Sequence, residues 1–190
     1  MRKSRAEASD TRRRIVEVAA ERFGAKGIQA MGLAEVMASA GLSHGGFYRH
    51  FDSKDQLVAE ACEAGLAGIV GSLEAKVEGC SKADEFRAVV GAYLSTVHRD
   101  MPGRGCPLAS MGSELARADH TTRAVAARGF DELVDMLAKR LDDPDRTMGR
   151  SRATFALVAM IGAVTMSRVI ADPVASASLL EDVRQHLETI

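Results

Sequence analysis

The chain has 190 residues and a formal net charge of −1, and 46% of it is hydrophobic, enough for a sizeable core in one large domain or in a small domain joined to a larger one. Aromatic residues make up only 4% and tryptophan is absent, so Ala, Leu, Val and Met must fill that core, which favours an all-α fold over a β-sandwich. No segment reaches about 18 uninterrupted apolar residues, the longest stretch (residues 153–164) reads as a buried helix, and no apolar signal core follows Arg12, Arg13 and Arg14, so neither a membrane partner nor a secretory leader is expected and the location is read as cytoplasmic.

The pattern predicts about nine helices with short breaks. The first starts near Asp10 or Thr11, either of which can cap it, carries Ile15, Ala19 and Phe23 as an apolar stripe, and stops at Gly27. The second begins near Gly32 and buries Leu33, Val36, Met37 and Ala40. Gly41 permits a left-handed turn, and Ser43 can cap a third short helix in which Phe47 and Phe51 point inward. Ser53-Lys54-Asp55-Gln56 fits a capping box and opens a long fourth helix to about Gly79. Ser81 is read as the cap of a fifth, running to about Met101. Pro102, Gly103 and Gly105 then break the chain. The sixth starts near Pro107 and ends before Asp119, which caps a seventh reaching about Leu141. The eighth covers residues 147–171, and Asp172-Pro173 opens the ninth.

Charge is unevenly placed. Residues 1–54 hold ten Lys and Arg against six Asp and Glu (+4), and residues 55–190 hold fifteen against twenty (−5). A basic head on an acidic body suits an anionic partner such as DNA. Within the head, residues 33–51 supply a short amphipathic helix, a glycine turn and a second short helix, the parts of a helix-turn-helix. The outer face of that second helix offers His44, Gly45, Tyr48 and Arg49, with His50 at its end. Small residues at the start allow close approach to a groove, and the Tyr, Arg and His side chains supply donors for phosphates or base edges. The same parts also build an ordinary helical hairpin with polar residues outside. The run Arg12, Arg13 and Arg14 reads either as a solvated charge cluster or as an N-terminal arm near the DNA backbone.

Residues 13–57, and above all Gly41-Leu42-Ser43, Gly45, Phe47-Tyr48-Arg49-His50-Phe51 and Ser53-Lys54, resemble the N-terminal domain of the TetR family of repressors. The resemblance implies phosphate contacts from Tyr48, His50 and Lys54, with Ser43, His44 and Gly45 at the groove and Arg49 on the same face. Position 44 is often Lys in this family and is His44 here, and position 32 is often Thr and is Gly32 here. The division implied is a DNA-binding domain at 1–52 and an effector-binding and dimerisation domain at 53–190. The homodimer would be held by the last two helices, through the small residues Ala159, Gly162 and Ala163 beside Leu157, Ile161 and Val164, and through Leu179, Leu180, Val183 and Leu187. The function implied is a repressor that binds a palindromic operator in double-stranded DNA and is released by an effector.

The effector has two readings. Cys106 precedes a helix start and Arg104 lies two residues away, both of which favour thiolate, while Gly103 and Gly105 leave the backbone room to move. The Gly-Cys pair is also similar to a cysteine-containing TetR subgroup that senses electrophiles or oxidants. The plain alternative is a buried structural cysteine. A reversible apolar ligand is the other reading, with Phe86, Tyr93, Met111, Phe130 and Phe155 as candidate pocket residues. Cys62, Cys80 and Cys106 are odd in number and lack metal-ligand spacing, so neither a disulfide framework nor a metal site is expected. No Gly-rich phosphate loop or nucleophile motif is present, and Asp142 and Asp143 read as a solvated turn, so no catalytic residue and no cofactor is expected. A helical ligand carrier without DNA function and a TetR-like activator are the alternatives.

Overall fold

A computed structural model describes residues 5–141 and 145–189, so the expected turn at Asp142 and Asp143 lies outside the described residues. Among the described residues the chain is all-helical: α1 (Arg5–Lys26), α2 (Leu33–Ser39), α3 (Lys54–Val77), α4 (Glu85–Tyr93), α5 (Thr96–Asp100), α6 (Pro107–Leu115), α7 (His120–Ala138), α8 (Arg146–Val169) and α9 (Pro173–Leu187). Two short 3-10 helices, His44–Arg49 and Pro102–Arg104, complete the order. The long α3 is central and packs on α1, α4 and α7; α8 lies between α7 and α9.

Most boundaries follow from local chemistry. Gly27, Gly41 and Gly79 all adopt positive φ (88°, 69° and 81°) and end helices or turns there. Asp119, Asp145 and Asp172 each accept backbone N–H groups at the starts of α7, α8 and α9. Ser53 accepts from the Gln56 amide at 3.1 Å, while the Gln56 side chain reaches back to the Asp52 N–H at 2.7 Å, a capping box displaced by one residue.

Several expectations are corrected. Helix α1 begins before Asp10 and Thr11, because the Thr11 hydroxyl donates to the Glu7 carbonyl (2.7 Å) and sits nearly buried inside the helix. The single helix expected after Ser81 is two. Ser81 donates to the Asp84 carboxylate in a turn, α4 starts at Glu85, and after α4 ends Ser95 accepts the His98 N–H to start α5. Gly103 and Gly105 are sites of close approach rather than looseness. A Cβ at Gly103 would lie 2.5 Å from the Glu21 carbonyl oxygen of α1, and one at Gly105 would lie 2.6 Å from the His98 ring.

The two last helices also differ from expectation in which side they leave free. Leu157, Ala163 and Val164 of α8 and Leu180 and Leu187 of α9 are buried in the subunit's own core. The face left outside carries Phe155 (65% exposed), Val158 (55%), Met166 (49%) and Val169 (68%) beside exposed Gly162. Helix α8 is long and apolar enough, by length and composition alone, to cross a membrane, with a mean hydropathy of 1.3 over its most apolar window; one side of it belongs to the core.

Candidate nucleic-acid interface and effector region

The His44–Arg49 turn presents two unlike faces. Inside, Phe47 and Phe51 are 0% and 2% exposed and stack with ring centroids 5.5 Å apart. Burying one such ring stabilises by roughly 1.5–3 kcal/mol, which is what seats so short an element. Outside, Ser43, His44, Gly45, Tyr48 and Arg49 are exposed, and the Tyr48 ring, 68% exposed, meets Phe47 edge-on at 5.1 Å. His50 is half-buried at the end of the turn. The expected third helix is 3-10 rather than α, and Ser43 occupies its cap position by extended backbone alone, without a side-chain hydrogen bond. A Cβ at Gly45 would meet nothing within 4 Å, so the protein itself does not demand glycine there.

Two cations expected near DNA are engaged by the protein. Arg12 belongs to α1 and turns inward. Its Nε donates to the His50 carbonyl (3.1 Å), its guanidinium pairs with Glu60, and it lies 4.5 Å over the Phe51 ring. It is a staple for the end of the His44–Arg49 turn, not part of a solvated arm. Arg13 pairs along α1 with Asp10 at 3.1 Å and approaches Glu17 at 3.8 Å, and Arg14 is exposed. Lys54, half-buried, donates its ammonium to the carbonyls of Ile28 and Met31, both at 2.7 Å. It thereby anchors the connection between α1 and α2.

In the body, Cys106 is fully buried at the N-terminus of α6. Burial pushes its thiol above the usual cysteine range and outweighs the opposing pull of the neighbouring Tyr93 hydroxyl, the Leu108 and Ala109 amides and Arg168. Arg104 does not reach it; that side chain is exposed and lies 3.8 Å from Glu21. The expected activation of the thiol is therefore not what the fold provides. Cys62 is also buried, its thiol pushed up to about 12, chiefly by burial, while Cys80 is exposed.

The five apolar residues expected to share a pocket do not come together. Phe86, Tyr93 and Met111 are packed in the core, and Phe155 is on the outer face of α8. Phe130 lines a largely apolar cleft of about 500 Å³ between α6 and α7, with Leu108, Gly112, Leu115, His120 and Arg123.

Residues 15–61 match the family described as bacterial regulatory proteins, tetR family, and residues 82–185 match the LmrA/YxaF-like transcriptional regulator C-terminal domain. The chain belongs to the TetR family of transcriptional regulators. It is 37% identical over 73 residues to the regulator AcrR of Shigella flexneri, covering 38% of this chain and 34% of that one. It is 21% identical over 136 residues to the repressor DhaR of Mycobacterium sp. (strain GP1), covering 72% and 68%. The chain thus spans about a third of the AcrR sequence. Its fold is shared with a TetR regulator from Chloroflexus aurantiacus (TM-score 0.79, 24% identity, 97% and 95% covered). It is shared too with the reduced form of NemR from E. coli (TM-score 0.78, 19% identity, 95% and 96% covered).

Some residues of this TetR-family chain escaped the sequence reading although a signal was present. Positions 12, 15, 19 and 23 share one helical face, so Arg12 sits on the buried stripe, where a long basic side chain has structural partners. Arg168 lies four residues after buried Val164. It holds the carbonyls of His98 and Arg99, both at 2.9 Å, and joins α8 to α5. His98 accepts the Cys106 N–H at Nε2 (2.9 Å) and donates from Nδ1 to the Tyr93 carbonyl (2.7 Å), which fixes its neutral tautomer. No local pattern marks His98 as a bridge, because its partners lie five and eight residues away across two breaks.

Proposed function

We propose that this regulator is a repressor that binds a palindromic operator in double-stranded DNA as a homodimer, through residues 1–52. Residues 53–190 form the effector-binding and dimerisation part. The observation that carries the reading is the two-faced recognition turn. Buried Phe47 and Phe51, together with the Arg12 staple, hold it from behind. Ser43, His44, Gly45, Tyr48 and Arg49 stand outside it. Tyr48, Arg49, His50 and Lys54 contact phosphates, and Ser43, His44 and Gly45 face the groove. Lys54 has three N–H donors, of which two go to Ile28 and Met31, leaving one for a phosphate.

The apolar outer face of α8 supports a two-fold interface with a second copy, since contiguous exposed apolar surface of this kind marks association. The relatives named repressors, such as DhaR, support repression rather than activation. The effector is a reversible apolar ligand in the cleft between α6 and α7, a reading favoured over electrophile or oxidant attack because Cys106 is buried and kept protonated.

The test is fluorescence anisotropy on DNA enriched from a random pool, with salt varied. Sequence-selective binding that weakens steeply with salt is expected, because phosphate contacts release counterions. Sedimentation should give a dimer for the wild type and a monomer for Val158→Asp. Failure to enrich any sequence would remove the operator reading, and a wild-type monomer would remove the homodimer.

A further inference from the structure

We propose that Glu114 of α6 is a positioning residue that sets where the recognition turn stands relative to the body. The connection between α1 and α2, residues 27–32, is gripped from two sides. The Glu114 carboxylate accepts the N–H groups of Ile28 (3.1 Å) and Gln29 (2.8 Å). From the other polarity, Lys54 donates to the Ile28 carbonyl, which shares a peptide unit with the Gln29 N–H, and to the Met31 carbonyl three residues on. Charge-assisted bonds of this kind are the stronger class of hydrogen bond. Gly27 completes the grip, because it adopts φ 88° and a Cβ there would lie 3.0 Å from a Glu114 oxygen.

The gripped segment leads directly into the recognition elements. Ile28 and Met31 are buried, α2 follows at Leu33, and the turn after α2 is closed by Leu42 N–H to the Met37 carbonyl at 2.9 Å. The 3-10 turn then packs on α2, with Met37 3.7 Å from the position of a Gly46 Cβ. A second contact fixes α1 to the body nearby: a Cβ at Gly24 would lie 2.8 Å from the Pro102 carbonyl oxygen. Helix α6 thus has two working sides. Leu108, Gly112 and Leu115 line the cleft shared with α7, and Glu114 holds the α1–α2 connection. A shift of α6 is delivered to the backbone of the α1–α2 connection, and from there through α2 to the 3-10 turn packed on it. This inference rests on the DNA-binding reading above for its consequence, and on geometry for the grip itself.

The test uses the whole protein, labelled with fluorotyrosine, and DNA enriched by the wild type. The chain has two tyrosines, Tyr48 on the recognition turn and Tyr93 in the body, so the fluorine spectrum reports the two sides separately. Glu114→Gln keeps the size but can offer only one acceptor oxygen. It is expected to move or broaden the Tyr48 resonance, leave the Tyr93 resonance in place, speed exchange of the Ile28 and Gln29 amides, and weaken DNA binding about tenfold. Glu17→Gln removes the same charge from the exposed face of α1 and should bind DNA as tightly as the wild type or more tightly, because repulsion falls. An unmoved Tyr48 resonance with unchanged affinity overturns the proposal, and so do equal changes at both tyrosines, which mark general loosening. If Glu114→Gln does not fold, Glu114→Asp, which keeps the charge and shortens the reach, is read the same way. If the wild type enriches no DNA, the operator reading falls, and the fluorine and exchange readouts still decide whether Glu114 positions the turn.

Discussion

The two tyrosines occupy opposite environments although each meets a ring edge-on. Tyr48 stands 68% exposed against buried Phe47, with rings 5.1 Å apart and an interplanar angle of 85°. Tyr93 is fully buried against His98, at 4.6 Å and 83°. At the first site the aromatic body anchors on a buried ring and leaves the side chain exposed. At the second the hydroxyl is enclosed with no hydrogen-bond partner of good geometry beside the Cys106 thiol, and burial holds it well above the ordinary tyrosine range. The difference teaches that ring packing and hydroxyl exposure are separable: the 3-10 turn leaves its tyrosine hydroxyl at the surface, while the body brings His98, Cys106, Tyr93 and Arg168 together.

The sharpest break of this comparison is at the head. Phe47→Ala should cost about 3–5 kcal/mol in urea unfolding, since it empties a fully buried site. Tyr48→Ala should change stability by no more than about 0.5 kcal/mol, as an exposed residue, and weaken DNA binding in anisotropy. A Tyr48→Ala protein that binds DNA like the wild type would remove that side chain from the interface. In the body, Tyr93→Phe should be neutral or gain up to about 1 kcal/mol, because the buried hydroxyl it deletes has only the Cys106 thiol, a weak partner, beside it. A clear loss of stability would mean that the hydroxyl has a stronger partner.

The pH dependence sharpens the same contrast. Burial depresses the His98 pKa below its ordinary 6.5, aided by the Arg168 charge and opposed by the bond to the Tyr93 carbonyl. The folded state therefore takes up a proton later than the unfolded state does. The stability this neutral ring contributes is complete above pH 6.5 and is lost as the pH falls from there toward the folded pKa. Thermal melts of the wild type should lose stability on acidification below 6.5 more steeply than those of His98→Gln. The smallest effect concerns the thiols: N-ethylmaleimide should label exposed Cys80 in the native protein and reach Cys62 and Cys106 only on unfolding, as read by mass spectrometry.

The helix order, most caps and the buried aromatic pair of the recognition turn could be read from the sequence because they depend on spacing and on neighbours within four residues. The aspartate caps at 119 and 172, the glycine stops, and the stripe of Ile15, Ala19 and Phe23 are all local signals. The partners of long charged side chains could not be read that way. Arg12 reaches residues 38 and 48 positions away, Lys54 reaches back 23 and 26, and Glu114 reaches back 86 and 85. Cys106 kept two readings in the sequence, reactive or structural, for a related reason: a helix N-terminus favours thiolate, but burial, which no local pattern records, acts more strongly in the opposite direction.

The sequence by itself determined the all-helical class, the helix-turn-helix and the outward set of His44, Gly45, Tyr48 and Arg49, since helical period and chain punctuation act over a few residues. Only the tertiary structure decided which face of α8 stays free, that Gly103 is a contact with α1, and that Arg12, Lys54 and Glu114 hold the head in place. Those outcomes depend on which distant surfaces meet, and close packing between helices, rather than local preference, selects them.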